Sequence, residues 1–227
     1  MACGSWASFH SRPTAAFHKT PVSSNVRQHP MHPLTDEEVA FGPLIPELIQ
    51  TAIIGKIANT VVRLVDSSVP LLSRRAIARV AYVAQRSMPT YKTGYDGTVT
   101  EEDQRLYVLA KETRTIGMVL SALQDSVWQA EWAEDGRINR VSNIPIKARL
   151  PVIARIWIAT DQRGAGFGRQ LIECALDNLG VLAPAVGWEF PFTESGGLLV
   201  KAICPNSFQI CCDGLTLQRR TTLKPLS

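Results

Sequence analysis

Apolar residues recur along this chain at two spacings, every second position in some stretches and about every 3.6 positions in others. From Pro46 to about Gly55, Leu48, Ile49, Ala52 and Ile53 share one helical face and predict a short helix. "NTVVRLVD" then reads as a strand. Over Ser73–Arg86, Ile77, Val80, Ala81 and Ala84 return to helical spacing, with Arg74, Arg75 and Arg79 turned outward as a solvated face. "MPTYKTGYDGTVTEED" is a loop by its Gly, Pro and Asp content. "RLYVLAKE" and "TIGMVLSAL" predict two strands joined by a tight polar turn. In "VWQAEWAEDGR" Trp128, Ala130 and Trp132 alternate, Asp135-Gly136 signals a hairpin, and "RINRVS" pairs back. "LPVIARIWIAT" is a strand rich in β-branched residues. The helix predicted over Phe167–Leu179 turns Leu171, Ile172, Ala175, Leu176 and Leu179 inward and ends at Gly180 as a left-handed cap. "AVGWEF" is a further strand, "SGGLLVKAI" a short helix and "SFQICC" a last strand.

Hairpins followed by one strand–helix–strand unit predict an α+β fold with a mixed sheet, not a doubly wound parallel one. At 227 residues and 45% hydrophobic, the chain suits one domain with tails. Residues 1–42 lack sustained periodicity and are broken by Pro13, Pro21, Pro30 and Pro33, so they read as a flexible tail. The first 35 residues lack Asp and Glu but carry Arg12, Lys19 and Arg27, a faint organellar-leader composition. A plain tail rich in Ser, Pro and His explains them equally well and is the preferred reading. The domain is expected over 43–213, followed by a basic tail over 214–227.

A net charge of +4 is too mild for a dedicated nucleic-acid binder, and none is expected as a partner. No uncharged apolar run reaches membrane-spanning length, since "PLIPELIQTAIIGKIANTVVRLV" is interrupted by Glu47, Lys56 and Arg63. The five cysteines (Cys3, Cys174, Cys204, Cys211 and Cys212) are odd in number and include no C-x-x-C pair. They read as reduced, buried thiols, which suits the nucleus or cytoplasm. All four histidines precede residue 33, so the expected domain holds no imidazole and no metal is expected.

Between strand and helix lies "TDQRGAGFGRQL". A glycine-rich turn in that place is an anion-binding device, because bare backbone N–H groups approach a phosphate at a helix N-terminus. A Walker loop fails, because the stretch ends Gly168-Arg169-Gln170 rather than Gly-Lys-Ser/Thr. A dinucleotide fingerprint also fails, because the sixth position is Arg169 counted from Gly164 and Leu171 counted from Gly166. Arg163-x-x-Gly166-x-Gly168 resembles the pyrophosphate loop of the GNAT superfamily of acyl-coenzyme A-dependent N-acyltransferases. That resemblance implies the GNAT fold, a mixed and mostly antiparallel sheet flanked by helices. It also implies acetyl-CoA as co-substrate, held by Arg163, Gly164, Ala165, Gly166, Phe167, Gly168 and Arg169.

Within that superfamily, about Thr60 to Cys212 resembles the acetyltransferases that establish sister-chromatid cohesion, or a small fungal-type relative. "VVRLVDSSVPLLSRRAIARVAYVAQ", "RLYVLAKETRTIGMVLSAL", "ARIWIA" and "RQLIECALDNLG" carry the resemblance, Arg155-Ile156-Trp157 being the most diagnostic. The chain departs from that family at Ala154, where the family has Ser. It departs again at "FPFTESGG" (190–197), where the family has a Phe-Ser-Asp-Pro-Thr-Pro-Asp-Gly loop, and the family's Cys/His zinc finger is absent. Coenzyme binding therefore transfers, and cohesin as substrate does not.

Direct acetyl transfer to an amine needs a polarised thioester carbonyl and a group to take the amine's proton. By resemblance, the main chain of Ile156, Trp157 and Ile158 polarises the carbonyl. Glu194 and Glu189 rank level as the base, with Glu173 an outsider. Neither is singled out by sequence, and no Tyr follows Tyr107 to donate a proton, leaving Thr193, Ser195, Cys204 or water. The acceptor is either a protein lysine, in an open groove beside "FPFTESGG", or a small-molecule amine in a closed pocket lined by Trp128, Trp132 or Trp188. The rival is an inactive relative that binds coenzyme A or a protein partner without turnover.

Overall fold

The computed structural model describes residues 33–87, 103–141, 144–190 and 192–211. The expected tails before residue 33 and after residue 211, and most of the loop "MPTYKTGYDGTVTEED", lie outside them. From Leu34 onward the described residues form one compact unit. Its strands are β1 (Ala52–Ile57), β2 (Thr60–Val65), β3 (Gln104–Lys111), β4 (Arg114–Trp132), β5 (Ile138–Arg140), β6 (Ile146–Ile158), β7 (Gly187–Glu189) and β8 (Ser207–Cys211). Its helices are α1 (Asp36–Phe41), α2 (Leu71–Ser87), α3 (Phe167–Leu179) and α4 (Glu194–Ile203).

Most of the periodicity translates directly, and α3 runs between the residues predicted, closed by Gly180 at φ 69°. Four differences are instructive. The apolar face read from Pro46 onward yields only a 3₁₀ turn, Pro46–Gln50; β1 follows, because Ile53, Ile54 and Ile57 are β-branched and β2 offers an antiparallel edge. Asp36–Phe41, expected within the tail, is a helix set by local chemistry: Thr35 and Glu38 form a reciprocal capping box. Arg79 is not simply solvated, since it binds Glu38 at 2.6 Å, ties α1 to α2 and holds the Glu38 carboxyl below its ordinary pKa. The two apolar runs on either side of Leu123–Asp125 belong to one long strand, β4, whose pairing slips between Gln124 and Ser126 and exchanges its faces.

The sheet runs β1-β2-β3-β4-β6-β7-β8, with β5 on the far end of β4. It is antiparallel except for β6–β7 and β7–β8. The bend in β4 lets Trp128–Glu131 pair with β8, so β4, β6, β7 and β8 close into a circuit of pairings. That closure leaves no room at Gly187, where a Cβ would sit 2.7 Å from Val152 Cγ2 and 3.0 Å from Val127 Cγ1. One face of the sheet packs Met118, Leu120 and Trp157 against Ile77, Val80 and Ala84 of α2. The other packs Val119, Ile153 and Trp188 against Leu171 and Ile172 of α3 and Val200 of α4. Burying these layers at close packing makes a rigid platform for whatever its edges hold.

Candidate functional site

β6 and β7 pair only at Val152–Gly187 and Ile153–Trp188, and then part. Two local features open the gap. Ala154 is an extra residue in β6, because Arg155 faces Leu120 while Ile153 faces the next residue, Ser121. On the other side, Phe190 donates its N–H to the Cys211 carbonyl at 2.9 Å, drawing the chain after β7 toward β8. Beyond the bulge, the free edge of β6 faces the gap. Ala159 donates to Ile116 at 2.9 Å, so by antiparallel alternation Trp157 spends its main-chain groups on β4 while Ile156 and Ile158 turn theirs to the open edge. The segment before α4 and α4 itself lie across the gap, and Thr193, Gly196 and Val200 line it at helical spacing.

At the far end of β6 the chain makes a 3₁₀ turn, Thr160–Gln162, and enters the glycine loop. Gly164 and Gly166 take φ of 82° and 80°, left-handed values that glycine adopts without strain. Gly166 is the N-cap of α3 and offers no side-chain cap. The main-chain N–H groups of Gly164, Ala165, Gly166, Phe167, Gly168 and Arg169 find no acceptor among the described residues; the next donor is Gln170, to the Gly166 carbonyl at 3.2 Å. Except for the half-buried Phe167 and Gly168 the loop is exposed. At Gly168 a Cβ would meet only Leu199 Cδ2 at 3.5 Å and Ile158 Cγ1 at 3.7 Å, ordinary contacts that would admit alanine. Six unspent donors at a helix start make a patch of positive potential. Arg163 adds charge there, its Nε held to the Ile158 carbonyl at 3.0 Å.

No protein-family model matches the sequence, and no curated protein does. Among solved structures, the xEco2 acetyltransferase domain bound to a K105-CoA conjugate matches with a TM-score of 0.58 at 13% identity, over 71% of this chain and 96% of that one. A second structure of the xEco2 acetyltransferase domain gives 0.56 at 14% identity, over 71% and 95%. The chain has the GNAT acetyltransferase fold.

On that fold the residues singled out by sequence fall in different places. Ile156 lines the gap and Ile158 lies beyond it toward the loop, whereas Trp157, 2% exposed, is packed in the core under α2. Arg169 is paired with Glu173 at 2.8 Å along α3, both half exposed, so its charge is already partly matched. Glu173 lines a separate cavity of about 530 Å³ against β1, on the opposite side of α3 from α4. Glu194 is exposed in the first turn of α4, where a carboxylate favours the helix dipole, and does not line the gap. Glu189, at the end of β7, does line it. So does Trp188, while Trp132 instead donates its indole N–H to the Cys204 carbonyl at 2.8 Å. Burial pushes the Cys204 thiol up to about 11, so it stays protonated at neutral pH. Sequence reasoning missed the wall made by Phe192, Gly196 and Val200. Its signal was the helical spacing from Thr193 to Val200, which was read only as a short helix.

Proposed function

We propose that this chain is an acetyl-CoA-dependent N-acetyltransferase that binds the coenzyme diphosphate on the Gly164–Arg169 amides and lays the pantetheine arm along the open edge of β6. The observation that carries this reading is the run of six unspent amides at the start of α3, directly after β6, the strand whose open edge borders the gap. The fold likeness to a domain solved with a CoA conjugate supports it. In the reaction the amine nitrogen attacks the thioester carbonyl. A C–N bond forms and the C–S bond breaks, Glu189 takes the ammonium proton directly or through water, and the thiolate leaves to be protonated by solvent. Main-chain N–H groups on the β6 edge stabilise the tetrahedral oxyanion. The acceptor is an amine, on a protein lysine or a small molecule.

Calorimetric titration with CoA and acetyl-CoA tests the coenzyme site. Gly166→Glu places a carboxylate among the donors and should abolish binding. Gly166→Asn, which tolerates the left-handed backbone, should retain most of it. Equal binding by both variants would refute the loop's role. Coenzyme binding without thiol release across a broad amine panel would instead favour the inactive relative.

A further inference from the structure

We infer that the segment from Thr35 to Ile45 is a brace that fixes where β6 ends and the glycine loop begins, with Glu38 and Gly42 as positioning residues for coenzyme binding. The inference rests on the coenzyme reading above and adds to it residues outside both the loop and the gap. At its start β4 carries β3 on one edge, with Lys111 and Ala110 opposite Arg114 and Thr115. Its other edge belongs to β6 as far as the Gly117–Ile158 pair, with one more bond from the Ala159 N–H to the Ile116 carbonyl. From there the brace takes over the same edge. Thr115 donates to the Pro43 carbonyl at 2.9 Å, Ile45 donates to the Thr113 carbonyl at 2.7 Å, and Leu44 bridges to Arg114. With that edge occupied, β6 cannot run on along β4. The chain is turned out into the Thr160–Gln162 turn, against which α1 packs, and the loop follows at once.

Two features hold the brace in place. Gly42, at φ 85°, passes so close to β4 that a Cβ would sit 1.6 Å from the Thr115 carbonyl oxygen. Glu38 anchors α1 to α2, its carboxylate accepting from Arg79 Nε at 2.9 Å and Nη2 at 2.6 Å, in the fork geometry of a strong charge-assisted pair. The two side chains are 18% and 21% exposed, so solvent screens the pair only in part. Were the brace lifted, Thr160 and Asp161 could take its place opposite Thr115 and Arg114. Two added strand residues would draw the loop about 7 Å along β4. The segment between that turn and α3 runs only from Arg163 to Gly166, and it cannot supply this length without unwinding Gly164 and Gly166 from their left-handed conformation.

The test is calorimetric titration of the full chain with CoA, run well below the melting midpoint of each variant. Glu38→Ala should weaken CoA at least fivefold, and Gly42→Ala at least tenfold. Glu38→Gln keeps a capping-box side chain but loses the charge, and should fall between wild type and Glu38→Ala. Arg137→Ala breaks an exposed pair with Asp135 on the β4–β5 turn and should bind as wild type does. In Glu38→Ala without coenzyme, the Gly164 and Gly166 amide resonances should already be displaced. A pair that only stabilises the fold would instead lower the melting midpoint of Glu38→Ala and leave its CoA affinity within twofold of wild type. That result would overturn the inference and leave the coenzyme site standing; should Gly42→Ala fail to fold, Glu38→Ala decides alone. Absence of CoA binding by wild type would overturn the coenzyme reading and this inference with it.

Discussion

Glu189, Glu194 and Glu173 differ less in chemistry than in what surrounds them. Glu189 ends a strand at the rim of the gap, Glu194 starts a helix in solvent, and Glu173 is paired with Arg169 on another face. On the proposed mechanism Glu189→Gln lowers thiol release by about 100-fold or more with acetyl-CoA affinity unchanged, the usual scale for losing a general base. Glu194→Gln and Glu173→Gln should each change it less than threefold. The sequence sets Glu173 below the other two but does not separate Glu189 from Glu194, because that depends on where a three-residue strand stops and on which side of a helix a carboxylate emerges. The loop, by contrast, was legible. Glycines at positive φ and missing side chains beside a helix start are local requirements, and local requirements leave a mark on the residues themselves.

Long elements that carry their own apolar face are legible in the sequence, whereas the short α1, set by a capping box, and the elements whose form depends on a neighbouring edge are not. α3 carries its own inward face and its own terminal glycine, so its bounds followed from "FGRQLIECALDNLG". The spacing of β1 fits both the helical and the strand period, and only the edge of β2 decides between them. The length of β4 was hidden by Leu123–Asp125, exposed residues that look like a turn and are a slip in pairing. The circuit that β4 then closes with β8 makes Gly187 a packing requirement. Gly187→Ala should destabilise the fold by about 1–3 kcal/mol through overpacking against Val152 and Val127, read as a lower urea midpoint. A midpoint equal to wild type would show that the circuit is looser than its pairings imply.

At the scale of the whole molecule, two close-packed layers hold one seam open. The closed circuit fixes the base of the β6–β7 gap, α4 lies across it, and the glycine loop stands at its outer end with its donors unspent. Fold class and loop could be anticipated from composition, order and spacing. The seam could not, because it arises from a bulge at Ala154 and a pull toward Cys211 that no periodicity encodes. On the proposed function, the part that joins these features is a diphosphate held on the main-chain amides of the loop. The most direct test is to follow backbone amide resonances while CoA is added. Gly164, Gly166 and Gly168 should show the largest shifts, saturating together. Saturable binding that leaves those three unmoved would contradict the account.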